Sequence, residues 1–301
     1  MQSEFNELKS KNENLQNEIV KFGDDPKKVA ELKRQTYINK VAMYDLILAD
    51  DKTRAGQTAR DLITQVKAMP TLPRFGTGIN ALDYAFKGGF ETALFIQLAG
   101  ESGVGKSHLM LEIITNIAEG NKSTFFNFEM GKKLLVQRLQ KARLTETQLD
   151  NLWIDSETRN LDDLVMEIEL LVKDGCKFFV IDSKMKIEVP GKEPTHEKIS
   201  KISNTLAKLT QQRDIIIMLI NQMNEEDIKN KRLAMKGSGD QKYDSDIALF
   251  YVKDDKGNRK LICTKNRMDE IEFNIDLRLN SLGQTVGTNE PEVTEFPIGV
   301  V

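Results

Sequence analysis

Along residues 1 to 22 apolar side chains recur at alternating steps of three and four: Phe5, Leu8, Leu15, Ile19 and Phe22, with Asn12 at the remaining position of the stripe. That spacing marks one face of an amphipathic helix, and it also fits a coiled-coil seam in which a single buried Asn fixes register. The stripe is short, so two readings stand: a helix docked on its own domain or a neighbour's, and a short coiled coil used for oligomerisation. Gly23-Asp24-Asp25-Pro26 ends this helix, because Gly suits a stop and Pro suits a first turn. Further helical patterns run from about Pro26 to Ala49 and from about Thr53 to Ala68. Met69-Pro70-Thr71-Leu72-Pro73 is a stiff break, since each Pro disfavours helix at the residue before it. An N-terminal helical region, residues 1–70, is therefore separated from a second region, 71–282.

In that second region strands and helices alternate. Leu94 to Leu98 is an apolar run, followed by a glycine-rich loop and a helix over Lys106 to Ala118. Ser123 to Phe128, Lys177 to Ile181 and Asp214 to Ile220 are further strand candidates. Leu161 to Asp174 and Ile199 to Gln212 are helix candidates between them. Ile247 to Val252 and Lys260 to Thr264 flank Asp254-Asp255-Lys256-Gly257-Asn258, a hairpin turn signal. Short apolar strands alternating with helices predict an α/β fold with a mostly parallel sheet covered on both faces. Residues 283–301 carry two prolines and few core formers, and read as a flexible tail.

Composition narrows the class. A chain of 301 residues with 40% hydrophobic and 30% charged side chains carries one sizeable core plus an appendage. Its net charge of −3 excludes a uniformly basic nucleic-acid coat, so any contact with DNA must be local. Cys176 and Cys263 stand far apart with no Cys or His at ligand spacing, which argues against a zinc site or a disulfide framework. No apolar run approaches a membrane span, and Met1-Gln2-Ser3-Glu4-Phe5 lacks a basic-then-apolar signal layout, so a cytoplasmic protein is expected.

The chemistry concentrates in Gly100-Glu101-Ser102-Gly103-Val104-Gly105-Lys106-Ser107, a complete phosphate-binding loop between a strand and a helix. Glycines let the backbone N–H groups turn toward phosphate oxygens, and the helix adds its positive end. Lys106 reaches the β and γ phosphates, and the Ser107 hydroxyl is a Mg²⁺ ligand, so ATP and Mg are the expected cofactors. Phe178-Phe179-Val180-Ile181-Asp182 is an apolar strand ending in a carboxylate suited to the Mg²⁺ shell, directly or through water. Glu129 follows the strand after the loop's helix, where it can orient or deprotonate the attacking water. Gln222 follows the Asp214 to Ile220 strand, where an amide can sense the γ-phosphate.

These residues, in this order, resemble the RecA-like ATPase domain shared by DnaB-type replicative helicases and RadA/Sms recombination ATPases. The resemblance covers roughly residues 73 to 280. Thr77-Gly78 with Leu82-Asp83 is similar to the TGxxxLD lead-in of both groups. Glu129-Met130 with Leu135-Val136-Gln137-Arg138-Leu139 is similar to the helicases' EM…QLVxRL, in which the Glu is the catalytic base. Gln222 matches their sensor glutamine, and Lys265-Asn266-Arg267 matches their basic pair. In the family's hexamers that pair reaches the neighbouring subunit's ATP, and the resemblance implies this role for Lys265 and Arg267. It also implies a ring or filament of identical subunits and single-stranded DNA in a central channel. Two loops would face the channel: one with Lys184, Lys186, Lys192 and Lys198, and one with Lys229, Lys231, Arg232 and Lys236, both interspersed with acidic residues. Tracking phosphates needs such cations in a groove.

The expected function is an ATP-driven, DNA-associated motor most like the DnaB helicase core. Two alternatives remain open: a RadA-like recombination or branch-migration ATPase, and a switch ATPase whose residues 1–70 bind a protein partner.

Overall fold

The computed structural model describes residues 2–22, 25–50, 58–68, 74–191, 194–223, 233–235, 245–254, 256–268, 272–281, 283–288 and 292–294. The chain separates into two compact units, residues 1–71 and 72–301.

The first unit holds helices α1 (Gln2–Lys21), α2 (Pro26–Asp50) and α3 (Ala59–Ala68). The stripe of α1 packs on α2: Phe5, Leu8, Asn12, Leu15 and Ile19 are half-buried while their neighbours are exposed. On α2, Leu32, Thr36 and Asn39 are buried. Asn12 reaches Met43 Sδ at 3.8 Å, so the polar residue of the stripe lies inside an intrachain helix pair. Asp25 starts α2 by accepting from the N–H groups of Lys27 and Lys28, and Thr58 does the same for Asp61 in α3.

The second unit runs α4 (Asn80–Ala85), β1 (Leu94–Gly100), α5 (Lys106–Ile117), β2 (Ser123–Asn127), α6 (Lys132–Ala142), α7 (Glu146–Asn151) and β3 (Leu152–Asp155). It continues with α8 (Leu161–Lys173), β4 (Phe178–Asp182), α9 (Thr195–Arg213), β5 (Ile216–Ile220), β6 (Ile247–Lys253), β7 (Arg259–Asn266), β8 (Glu272–Leu279), β9 (Thr285–Gly287) and β10 (Glu292–Thr294). The sheet order is β10-β8-β7-β6-β1-β5-β4-β2-β3, with β9 paired to β8. From β6 to β3 all neighbours are parallel, and β7, β8, β9 and β10 extend the sheet antiparallel. This is the mostly parallel α/β fold that the alternating pattern predicts.

The central strands are apolar throughout because both faces are covered. Ile96, Leu98, Val180, Ile216 and Met218 face the α4–α5 side. Phe95, Phe179, Ile181, Ile217 and Leu219, at alternate positions, face α8 and α9. Part of the expected tail is ordered in the sheet: Thr285–Gly287 and Glu292–Thr294 both pair with β8. The tie that fixes this segment is polar, with Thr285 N–H donating to Glu112 Oε1 of α5 at 2.7 Å. Among the described residues no helix is long and apolar enough to cross a membrane.

The TGxxxLD segment has a structural role. Asp83 accepts from Thr77 N–H at 2.6 Å, Thr77 Oγ1 at 2.8 Å and Gly78 N–H at 3.1 Å. The Thr77 carbonyl then accepts from Asn116 Nδ2 of α5 at 2.9 Å. One carboxylate thereby staples the lead-in segment to the helix that follows the glycine loop.

Candidate nucleotide-binding site

β1 and α5 are joined by the loop from Gly100 to Lys106, and close packing dictates its glycines. A Cβ on Gly100 would lie 2.3 Å from the Tyr251 carbonyl oxygen, so only Gly lets β1 end against β6. Gly103 and Gly105 take φ of +75° and +109°, the left-handed region that Gly adopts without strain. Lys106 is buried and its Nζ donates to the Gly100 and Glu101 carbonyls at 2.8 Å each. Burial lowers its pKa, against the raising influence of the Asp182, Glu129 and Glu101 charges.

Lys106, Ser107, Glu129, Asp182 and Gln222 line one pocket of about 210 Å³ at the C-terminal ends of the parallel strands. The topology explains the convergence. β2, β4 and β5 lie on the same side of β1, and each ends level with the loop, so residues following them meet there. Asn127 pairs with Asp182 across β2 and β4. Its buried side chain brackets the next turn, donating to the Met130 carbonyl at 2.7 Å and accepting the Met130 N–H at 3.0 Å. That bracket holds Glu129, whose Oε1 accepts from Ser183 Oγ at 2.6 Å. Beyond β5, the Asn221 side chain accepts the Gln222 N–H at 2.9 Å.

Asp182 is the residue that best fits a cation. It is 1% exposed, and neither carboxylate oxygen has a hydrogen-bond partner of ordinary geometry. Burial pushes its carboxyl up to about 6. The Ser107 hydroxyl opposes that rise, the Glu129 charge adds to it, and the Lys106 and Arg138 charges counter it. An orphaned buried carboxylate beside a hydroxyl and a lysine is the donor set of a hard divalent cation bound with phosphate. Ser107 and Asp182 are thus suited to hold Mg²⁺.

Arg138 also lines this pocket, a residue that enters the sequence reading only inside the helicase-like segment. Its signal is spacing: it lies three residues beyond Leu135, the buried residue of α6, and shares that face. Ser183 and Asn127 carry no motif; only the pairing of β2 with β4 brings them to Glu129.

Lys265 and Arg267 are not brought to this pocket. β7 runs antiparallel to β6, so its end lies level with the beginning of β1. Arg267 N–H donates to the Asp246 carbonyl, and Asp246 N–H donates to that of Phe95 at the second residue of β1. The Arg267 guanidinium pairs with Asp246 Oδ1 at 3.0 Å and remains 55% exposed. Phe95 lies five residues before Gly100, so about 17 Å of strand separates Arg267 from its own loop. Lys184, expected among channel-facing cations, is instead buried, with Nζ donating to Ser203 Oγ of α9 at 2.6 Å. The 3₁₀ turn Lys184–Lys186 directs it inward against that helix. Lys192, Lys229, Lys231, Arg232 and Lys236 lie outside the described residues.

Residues 75–169 match the family described as DnaB-like helicase C terminal domain. The DNA repair protein RadA of Aquifex aeolicus is 26% identical over 153 residues, 50% of this chain and 33% of that protein. The match therefore spans about a third of the length of that relative. Among solved structures, one ATPase domain superposes with a TM-score of 0.65 at 20% identity, covering 78% of this chain and 100% of that one. A DnaB-like replicative helicase, solved in a study of its interactions with primase, gives a TM-score of 0.62 at 19% identity over 93% of this chain and 76% of that one. The chain has the RecA-like P-loop ATPase fold, and in sequence and structure it resembles the DnaB-type helicases and the RadA proteins.

Proposed function

We propose that the chain is an ATP-hydrolysing, DNA-associated motor most like the DnaB helicase core, working as a ring or filament of identical subunits. The observation that carries this reading is the convergence of Lys106, Ser107, Glu129, Asp182 and Gln222 on one pocket while Arg267 stands at the opposite end of the sheet.

In the proposed reaction the loop N–H groups and Lys106 hold the β and γ phosphates. Ser107 and Asp182 hold Mg²⁺, which when bound neutralises charge on the phosphate oxygens. Glu129, fixed by Asn127 and Ser183, orients a water in line with the γ-phosphorus and takes its proton. Gln222 follows loss of the γ-phosphate and passes the change to the segment after β5. An arginine stabilises the charge that spreads over the transferring phosphoryl group and can be supplied by another subunit. Arg267, too far from its own loop, fits that role for a neighbour, and Lys265 accompanies it.

The RadA-like reading shares this site and differs in substrate, and the similarity to the Aquifex aeolicus protein supports it. The test is ATP turnover with and without single-stranded DNA, followed by a forked duplex and a strand-exchange intermediate as substrates. DNA-stimulated turnover with unwinding of the fork is expected. Preference for the exchange intermediate selects the RadA-like reading. Turnover indifferent to DNA removes the motor and leaves a switch acting through residues 1–70.

A further inference from the structure

The phosphate pocket adjoins a second, larger cavity of about 1240 Å³ in the same unit, and Gly105, His108 and Arg138 line both. A nucleotide held by the loop must pass Gly105 and His108 to place its sugar and base in that larger space. Arg259 stands at this junction. It is the first residue of β7, directly after the β6–β7 turn, and it lines the larger cavity.

Three observations fix it there. Its Nε donates to the carbonyl of Val104, inside the phosphate loop, at 3.2 Å. A Cβ placed on Gly105 would lie 3.9 Å from that Nε and 3.7 Å from Tyr251 Cε1, so guanidinium and phenol together form a wall beside the loop's last glycine. The turn that presents Arg259 is locked from within. Asp254 Oδ1 accepts the Lys256 and Asn258 N–H groups at 2.9 and 2.8 Å, and its Oδ2 accepts Asn258 Nδ2 at 2.8 Å.

The guanidinium has five donors in a planar fork, and one of them is used. Among the described residues its two terminal amino groups have no hydrogen-bond partner and no carboxylate pairs with it. A permanent positive charge held against the loop, with both terminal amino groups unspent, is suited to a phosphate oxygen. The β and γ phosphates belong to the Lys106 side of the loop, whereas Arg259 lies on the side that leads to the sugar.

We propose that Arg259 contacts nucleotide in its own subunit, donating from its terminal amino groups to the α-phosphate while its Nε holds the loop. It then acts in cis on the α-phosphate, alongside Arg138 of the same pocket, where Arg267 acts in trans on the γ-phosphate. The inference rests on the nucleotide-binding reading above.

Calorimetric titration of ATP, ADP and pyrophosphate into the parent protein and Arg259→Ala tests it. ATP and ADP are both expected to bind about tenfold more weakly to the variant, with pyrophosphate affinity unchanged within about twofold. Arg259→Lys keeps the charge but not the fork, is expected to fall between, and carries the comparison if the alanine variant does not fold. Unchanged ATP affinity overturns the proposal. So does an equal loss for pyrophosphate, which assigns Arg259 to loop support alone, and so does a defect confined to ATP, which moves the contact to the γ-phosphate. A parent protein that binds pyrophosphate and ATP equally overturns the α-phosphate contact but leaves the P-loop reading intact. A parent that binds none of the three overturns both.

Discussion

Asp182 serves two opposed demands. Its unpartnered carboxylate suits a cation, but in the ligand-free protein burial makes that charge costly. The folded-state pKa of about 6 lies above the ordinary 3.8, so the folded chain holds a proton that the unfolded chain releases between those values. Stability from this group is therefore full below about pH 4 and is lost as the pH rises toward 6. Asp182→Asn is expected to raise the thermal midpoint of ligand-free protein by on the order of 5 °C at pH 8, with the gain shrinking below pH 5. The same change should abolish Mg²⁺-dependent turnover. A midpoint that falls at pH 8 in differential scanning calorimetry would contradict the assignment. Glu129 makes a different demand, since it must be held without being engaged in binding. Glu129→Gln should leave ATP affinity nearly unchanged and slow turnover at least ~100-fold in a single-turnover assay.

At the scale of elements, the unit β1–loop–α5 is positioned by segments distant in the sequence. Asp83 joins the lead-in segment to α5 through Thr77 and Asn116, and all of its accepted bonds are local. Asp83→Ala should cost about 2–3 kcal/mol of unfolding free energy in urea, by orphaning those donors, while the folded fraction still hydrolyses ATP. A variant as stable as the parent would make the TGxxxLD segment a contact surface instead of a staple. The central strands were legible because both faces are buried: Phe178 to Ile181 and Ile216 to Ile220 are unbroken apolar runs. α6 was less so. Leu134 and Val136 are exposed while Leu135 is buried, so its apolar residues do not form one stripe. β8 lies outside the β/α alternation and was not among the expected strands, although its alternating Phe273, Ile275 and Leu277, all buried, are a signal that could have found it. β9 and β10 are three residues each and exist through pairing with β8, a tertiary cause that no local pattern reports.

For the whole molecule, the loop and its carboxylates were readable as motifs because strand ends carry them in sequence order. The place of Arg267 was not, since the antiparallel turn after β6 puts it at the opposite end of the sheet from Gly100. That separation underlies the central claim, a hydrolytic site completed by a second subunit. Lys106→Ala lacks a working loop and Arg267→Ala lacks the arginine, so each alone should turn over ATP at no more than about 1% of the parent rate. Mixing them lets an interface join an intact loop to an intact arginine. With subunit exchange verified by differently labelled chains, ATP turnover across a titration of one variant into the other should rise to a maximum near equal proportions. A flat titration at the level of the single variants would contradict the account and place Arg267 outside the reaction.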